Sequence, residues 1–396
     1  MITRAFLQPA IAARLSGGVL CVLAWLASGC AQLRYVNTAA YVEEHIRATD
    51  ESVPVLALKT VIFYPARDWL TFDWLGRLLF GDEAWNAEGG QVGDSSFFTN
   101  RNPDELTLKA VARGPCNMPP PQPPISVKKA KASGRTPGFV GTDASGRSFL
   151  FKLDHPDYPE LGSSASVIGS HILWALGYNV PPVFLVRIEG ATDQRFDGKR
   201  ATASLYLDGA RGHFKFDWFR YRREIRALRM ACAWINDTDR IGTNTLVVVQ
   251  QARARYVLID FNSCLGSWNA RPKEPWRGHR HEWDLGEFVL GMLTFGLIPA
   301  PYDPDQPIVS PAVGRFDARF DPLGWRSQLP NTAFDRMSEA DLHWMAGKIA
   351  GLTREHIEAI VAEARLTNPA DAAYLVETLM KRRAVILAAA GLSEGV

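Results

Sequence analysis

The sequence predicts an α+β chain in which strands, one helix and further strands are followed by a largely helical region. Three observations carry this expectation. Strand-like apolar patterns cluster between Ile125 and Leu207, helical periodicity with legible caps fills the last third, and a proline-dense run at Pro115–Pro124 precedes both. Over the 396 residues, 47% are hydrophobic and 22% charged, the balance of a globular chain with a core to bury.

In chain order, residues 30–114 read as an irregular accessory segment. It holds one short helix at Asp68 to Phe80, where Trp69, Phe72, Leu75 and Leu79 fall near helical spacing. Residues 115–124 form a proline-rich spacer, because proline donates no backbone hydrogen bond and favours extended chain. Strands are then expected at Ile125–Lys131, Phe139–Thr142 and Arg147–Leu153, paired as an antiparallel meander with a turn at Asp143–Gly146. A helix from Ser163 to Leu176 stops at Gly177, and strands follow at Val183–Ile188 and Ala201–Leu207. Tyr221 to Ile235 is helical, with Ile225, Leu228, Cys232 and Ile235 on one stripe. The final helices are announced by Ser338 with Asp341, by Thr353, and by Asn368-Pro369.

The stretch from Ile235 to Asn262 is the richest in chemistry. A polar, acidic loop, Asn236 to Asn244, leads into Thr245–Gln250, a four-residue turn at Gln251–Ala254, and Arg255–Ile259 ending at Asp260. Pairing these runs as a hairpin brings Asn244 beside Asp260, with Asp239 one loop away. Two carboxylates and a carboxamide suit a hard cation such as magnesium, whose shell is completed by water and phosphate. The same residues could also simply shape and cap a turn.

Asp239-Arg240-x-x-x-Asn244, a hairpin, then Ile259-Asp260-Phe261 resembles the catalytic loop and metal-binding strand end of the protein-kinase-like fold, in the form similar to HipA-type kinases and phosphatidylinositol 3- and 4-kinases. The resemblance implies a two-lobed fold, with an antiparallel-sheet N-lobe over 125–210 and a mainly helical C-lobe over 211–396. It implies ATP and Mg²⁺ as cofactors, held by the loop from Gly134 to Gly138, by Lys152, and by Asn244 and Asp260 as metal ligands. Asp239 and Lys152 would be the catalytic pair, acting toward a protein or other hydroxyl acceptor. More widely, Ser95–Arg101, Phe151–Asp154 and Leu176–Pro181 resemble a family of uncharacterised bacterial proteins with this core. Ser166 stands where related chains carry Glu, and Ile241 where they carry His. Glu160 is then the candidate to replace the missing acid. The resulting expectation is an assembled cluster with weak nucleotide affinity and little turnover, and a silent binding or scaffold module is the alternative.

Residues 1–29 resemble a bacterial lipoprotein signal: Arg4 and Arg14, the apolar run Leu15–Leu26, and Ala27-Ser28-Gly29 before Cys30. That likeness implies lipidation at Cys30 and membrane attachment through the acyl chains. Ala31 lacks the acidic residue that retains such chains at the inner membrane, so the expected address is the periplasmic face of the outer membrane. The formal charge of +2 falls to zero without Arg4 and Arg14, and no basic surface for nucleic acid is expected. Cys116, Cys232 and Cys264 would remain, an odd number that makes no disulfide framework; Cys232 and Cys264 are expected as small buried residues, and a bond between them is the alternative. His279, His281, Glu282 and Asp284 read as an exposed loop rather than a metal site.

Overall fold

The computed structural model describes residues 46–80, 82–87, 90–130, 136–251, 253–283, 292–293 and 300–393. The leader, Cys30, Lys131, Gly134 and Asp284 lie outside these. Residues 41–396 cluster as one compact unit.

The α+β expectation holds. Strands β1 (Ser126–Ala130), β2 (Gly138–Thr142), β3 (Ser148–Leu153), β4 (Val183–Arg187) and β5 (Arg200–Leu205) form one antiparallel sheet in the order β1-β2-β3-β5-β4. The meander β1-β2-β3 is as the sequence implied. The insertion of β5 between β3 and β4 is new, and it makes β4 an edge. Phe149 and Phe151 of β3, spaced two apart, point to one face and join Phe139, Phe184, Ala201 and Ala203 in the sheet's core. Leu150 and Lys152 therefore project from the other face.

Helix α1 (Val53–Leu58) runs through a π-helical turn at Lys59–Phe63 into α2 (Tyr64–Leu70), and α3 (Asp73–Phe80) follows after a reversal. The expected single helix from Asp68 to Phe80 is broken because Phe72 takes a left-handed φ of 54°. Helix α4 spans Leu108–Arg113 and α5 spans Leu161–Ala175. Helix α5 starts two residues earlier than its serines suggested, since its cap comes from outside: the Asp154 carboxylate accepts bonds from Ser163 N (2.7 Å), Ser163 Oγ (2.6 Å) and Glu160 N (3.1 Å). The end of β3 is thereby tied to the start of α5.

The helical region comprises α6 (Arg223–Trp234), α7 (Glu339–Ala350), α8 (Arg354–Ala362) and α9 (Pro369–Ala389). The expected caps at Ser338, Thr353 and Asn368 all form. Between α6 and α7 lie the hairpin β6 (Thr245–Gln250) and β7 (Arg253–Leu258) and the short pair β8 (Ser267–Trp268) and β9 (Arg271–Pro272). The hairpin turn is tighter than expected: Gln250 already pairs with Arg253, and Gln251 reverses the chain at a φ of 50°. At the C-terminus of α6, Arg382 of α9 donates to the carbonyls of Trp234 (2.8 Å) and Ala233 (2.6 Å), which fixes where the acidic loop begins. Cys232 and Cys264 are both free, buried thiols whose pKa values burial pushes well up. Among the described residues, no helix is long and apolar enough to cross a membrane.

Candidate functional site

Lys152 reaches out of the sheet's second face. Its Nζ lies 2.6 Å from Oδ1 of Asp260, with the two side chains 11% and 27% exposed. The ammonium thus comes from β3 and the carboxylate from the end of the β6-β7 hairpin. Gly138 sits opposite Lys152 in the β2-β3 register, and a Cβ there would stand 2.1 Å from the carbonyl oxygen of Phe151. Close strand packing alone therefore accounts for that glycine.

The hairpin register places Thr245 opposite Leu258, and Ile259 N donates to the Asn244 carbonyl at 3.1 Å. Asn244 is consequently paired one residue before Asp260, not level with it. Asp260 then turns out of the strand direction at a φ of +60°, a left-handed conformation that costs a non-glycine residue free energy. Asn244 Nδ2 donates to the Asp239 carbonyl at 2.7 Å, which commits its nitrogen and leaves Oδ1 as the atom able to meet a cation.

Arg240 holds this assembly together. Its fully buried guanidinium donates to Asp237 Oδ2 from Nε (2.9 Å) and Nη2 (2.6 Å). It also donates to the carbonyls of Asn244 (2.8 Å), Ile259 (2.7 Å) and Asp260 (3.2 Å). One side chain therefore binds the acidic loop to the hairpin end. In the sequence Arg240 stands out only as part of the Asp239-Arg240-x-x-x-Asn244 pattern, and Asp237 has no evident role. The signal available was an acid and an arginine three residues apart in a loop otherwise poor in partners.

Asp239 is partly open to solvent at its edge, yet crowded enough that its pKa is pushed up to about 7. Burial is the largest cause, followed by the negative charges of Asp260 and Asp237, while Arg240 and Asn244 pull the other way. A carboxylate with that pKa is suited to exchanging a proton near neutral pH.

Two expected features are placed elsewhere. Glu160 does not replace the missing acid: its carboxylate accepts from Thr367 N (3.0 Å) and Thr367 Oγ1 (2.5 Å), with Arg200 at 3.9 Å. Ser166 donates back to the Gly162 carbonyl within α5 at 2.8 Å. The acid that Lys152 meets is Asp260 itself. Beyond Asp260, Asn262 Nδ2 donates to Thr136 Oγ1 at 2.6 Å, a link from the hairpin end to the segment between β1 and β2 that sequence gave no sign of. His281 is engaged with the Ser327 carbonyl at 2.7 Å.

As a donor set for magnesium, Asp260 and Asn244 offer two oxygens, and among the described residues no group of three metal-ligating His, Cys, Asp or Glu side chains occurs. Such a set fits a cation that takes its remaining ligands from water and phosphate, and it does not fit a protein-only cage. A cavity of about 590 Å³ lies behind the sheet, along β4 and between α4 and α5, and none of Lys152, Asp239, Asn244 or Asp260 lines it.

No family model matches the chain, and no curated protein matches it. Among solved structures, the chain is similar to the Helicobacter pylori proinflammatory kinase CtkA, at 12% identity and a TM-score of 0.41, over 69% of this chain and 100% of that one. That likeness is too distant to place the chain in a family.

Proposed function

We propose that the protein is a lipid-anchored envelope protein whose residues 125–396 form a two-lobed, protein-kinase-like domain of the HipA and phosphatidylinositol-kinase type. The observation that carries the reading is the meeting of Lys152 with Asp260 at 2.6 Å, on a hairpin end that Arg240 ties to the Asp239 loop. In this reading Lys152 contacts nucleotide phosphates, Asn244 and Asp260 hold magnesium, and Asp239 takes the proton of a hydroxyl acceptor. The acceptor oxygen bonds to the terminal phosphorus of ATP as the bond to the bridging oxygen breaks, and ADP leaves. The cation supplies neutralising charge for the phosphates.

A second reading, a binding module without turnover, is favoured by Glu160 and Ser166. With Glu160 engaged by Thr367 and Ser166 turned back into α5, no carboxylate from that helix orients Lys152, and phosphoryl transfer depends on orientation more steeply than binding does.

Thermal unfolding with millimolar ATP and Mg²⁺ separates these readings. A ligand at about 100 times its Kd stabilises by roughly 2.7 kcal/mol. A shift that Asp260→Ala abolishes, with transfer of labelled terminal phosphate, supports the enzyme. The same shift without transfer supports the silent module, and no shift in the unaltered protein ends both nucleotide readings. The anchor is tested separately: palmitate should label the unaltered protein and not Cys30→Ser, and equal labelling removes the address.

A further inference from the structure

The helices near the N-terminus are amphipathic in the wrong sense for a surface facing water. Their charged residues are paired: Arg67 with Asp217 at 2.8 Å and Asp73 with Arg336 reach the body, while Lys59 pairs with Glu51 just before α1 and Arg77 with Asp73 within α3, and Thr60 and Tyr64 are buried. Leu56 packs with Ile241 and Leu329. The outward stripe, at helical spacing, is apolar, with Val55, Leu58, Ile62 and Trp69 on α1 to α2 and Leu78 and Leu79 on α3. Trp69 is 69% exposed and Leu78 is 75% exposed. Among the described residues, eleven of the twenty exposed large apolar side chains lie between Val53 and Leu79. A helix that borders water is expected to present its polar face there.

We propose that this face lies in the interfacial layer of a lipid bilayer, as a second membrane contact of the same molecule. Each charge on α1 to α3 has an opposite partner, including the one-third-exposed Lys59 and Arg77, so the apolar stripe can enter the acyl boundary without stranding an unpaired charge. Trp69 and Trp74, both exposed, are of the aromatic type that favours the headgroup level. The choice of a bilayer over another apolar partner rests on the lipoprotein reading: Cys30 stands 23 positions before Val53, so an acylated chain would hold this face beside the lipid it is anchored in. The contact itself needs no acyl chain.

The test uses the unacylated chain from Ala31 onward, which contains the whole compact unit 41–396. It is mixed with sucrose-loaded vesicles, either of phosphatidylcholine alone or of phosphatidylethanolamine with phosphatidylglycerol, and sedimented. The expected result is co-sedimentation with both at about millimolar lipid, retained in 0.5 M salt because the stripe carries no cation. Combining Ile62→Ser, Trp69→Ser, Leu78→Ser and Leu79→Ser should weaken partitioning at least tenfold, with the far-ultraviolet circular dichroism unchanged. Independently of any variant, brominated lipids should quench tryptophan emission of the unaltered chain. No sedimentation and no quenching overturns the proposal. So does binding confined to the anionic vesicles and lost in salt, or a concentration-dependent dimer, abolished by the four substitutions, that never binds vesicles. Failure here leaves palmitate labelling at Cys30 untouched, so the two readings fall separately.

Discussion

Lys152 and Asp260 stand 108 positions apart in the chain and 2.6 Å apart in the fold. An ammonium at that distance occupies the carboxylate that a cation would need, so nucleotide and metal must compete with an internal ion pair before they bind together. This separates two roles that a simple loss-of-function variant would merge.

Lys152→Met is therefore expected to act in opposite directions on two ligands. Freed of its partner, Asp260 should bind Mn²⁺ alone about tenfold more tightly, equivalent to roughly 1.4 kcal/mol. Affinity for ATP with Mg²⁺ should fall at least as far, because the phosphate contact is lost. Mn²⁺ titration followed by electron paramagnetic resonance, beside calorimetry with the nucleotide, reads both. If Mn²⁺ affinity does not rise, Asp260 is not the ligand.

Arg240 should matter to stability more than its place in a catalytic pattern suggests. Arg240→Met strands the buried Asp237 carboxylate and withdraws a donor from three carbonyls. Removing one partner of a buried pair costs about 3–5 kcal/mol. Urea unfolding should show a loss of that order, and adding Asp237→Leu to Arg240→Met should recover part of it, since the double variant buries no uncompensated charge. A loss below about 1 kcal/mol would mean that the loop stands without its arginine.

The strands, the helix caps and the hairpin were legible because each is written locally. Alternating Phe149 and Phe151 fix a face, Ser338 and Asp341 fix a helix start, and the apolar runs around Gln251 fix a pair. The convergence of Lys152 with Asp260 was legible in outline, through the order of motifs and the pairing of the hairpin. What local pattern could not yield were side-chain destinations across the fold. Glu160 is close in sequence to the helix where an acid was wanted, yet its carboxylate finds the Thr367 amide and hydroxyl, which no spacing rule relates to it. Asp154 capping α5 and Arg382 closing α6 are of the same kind. The apolar stripe was legible as a face but not as an outward one, because helical spacing does not say whether a face looks inward. Arg67 with Asp217 and Asp73 with Arg336 turn the opposite side to the body and leave the stripe exposed.

The raised pKa of Asp239 gives stability a pH dependence whose sign can be worked out. Unfolded, this carboxyl ionises near 3.9. Folded and free of metal, it holds its proton up to about 7, chiefly because of burial and secondarily because of the charge on Asp260. Below pH 4 both states are protonated and Asp239 costs nothing. Between about 4 and 7 the folded state binds more protons than the unfolded one, so the contribution of Asp239 to stability falls as pH rises. Above 7 both states are ionised and the loss levels off. Asp239→Asn removes a charge that the fold disfavours, so in chelator-treated buffer it should raise the Tm at pH 8 by several degrees, and by much less at pH 5. Equal differences at the two pH values would show that Asp239 ionises as an ordinary surface carboxylate, and would take away the physical basis for its role as the proton acceptor.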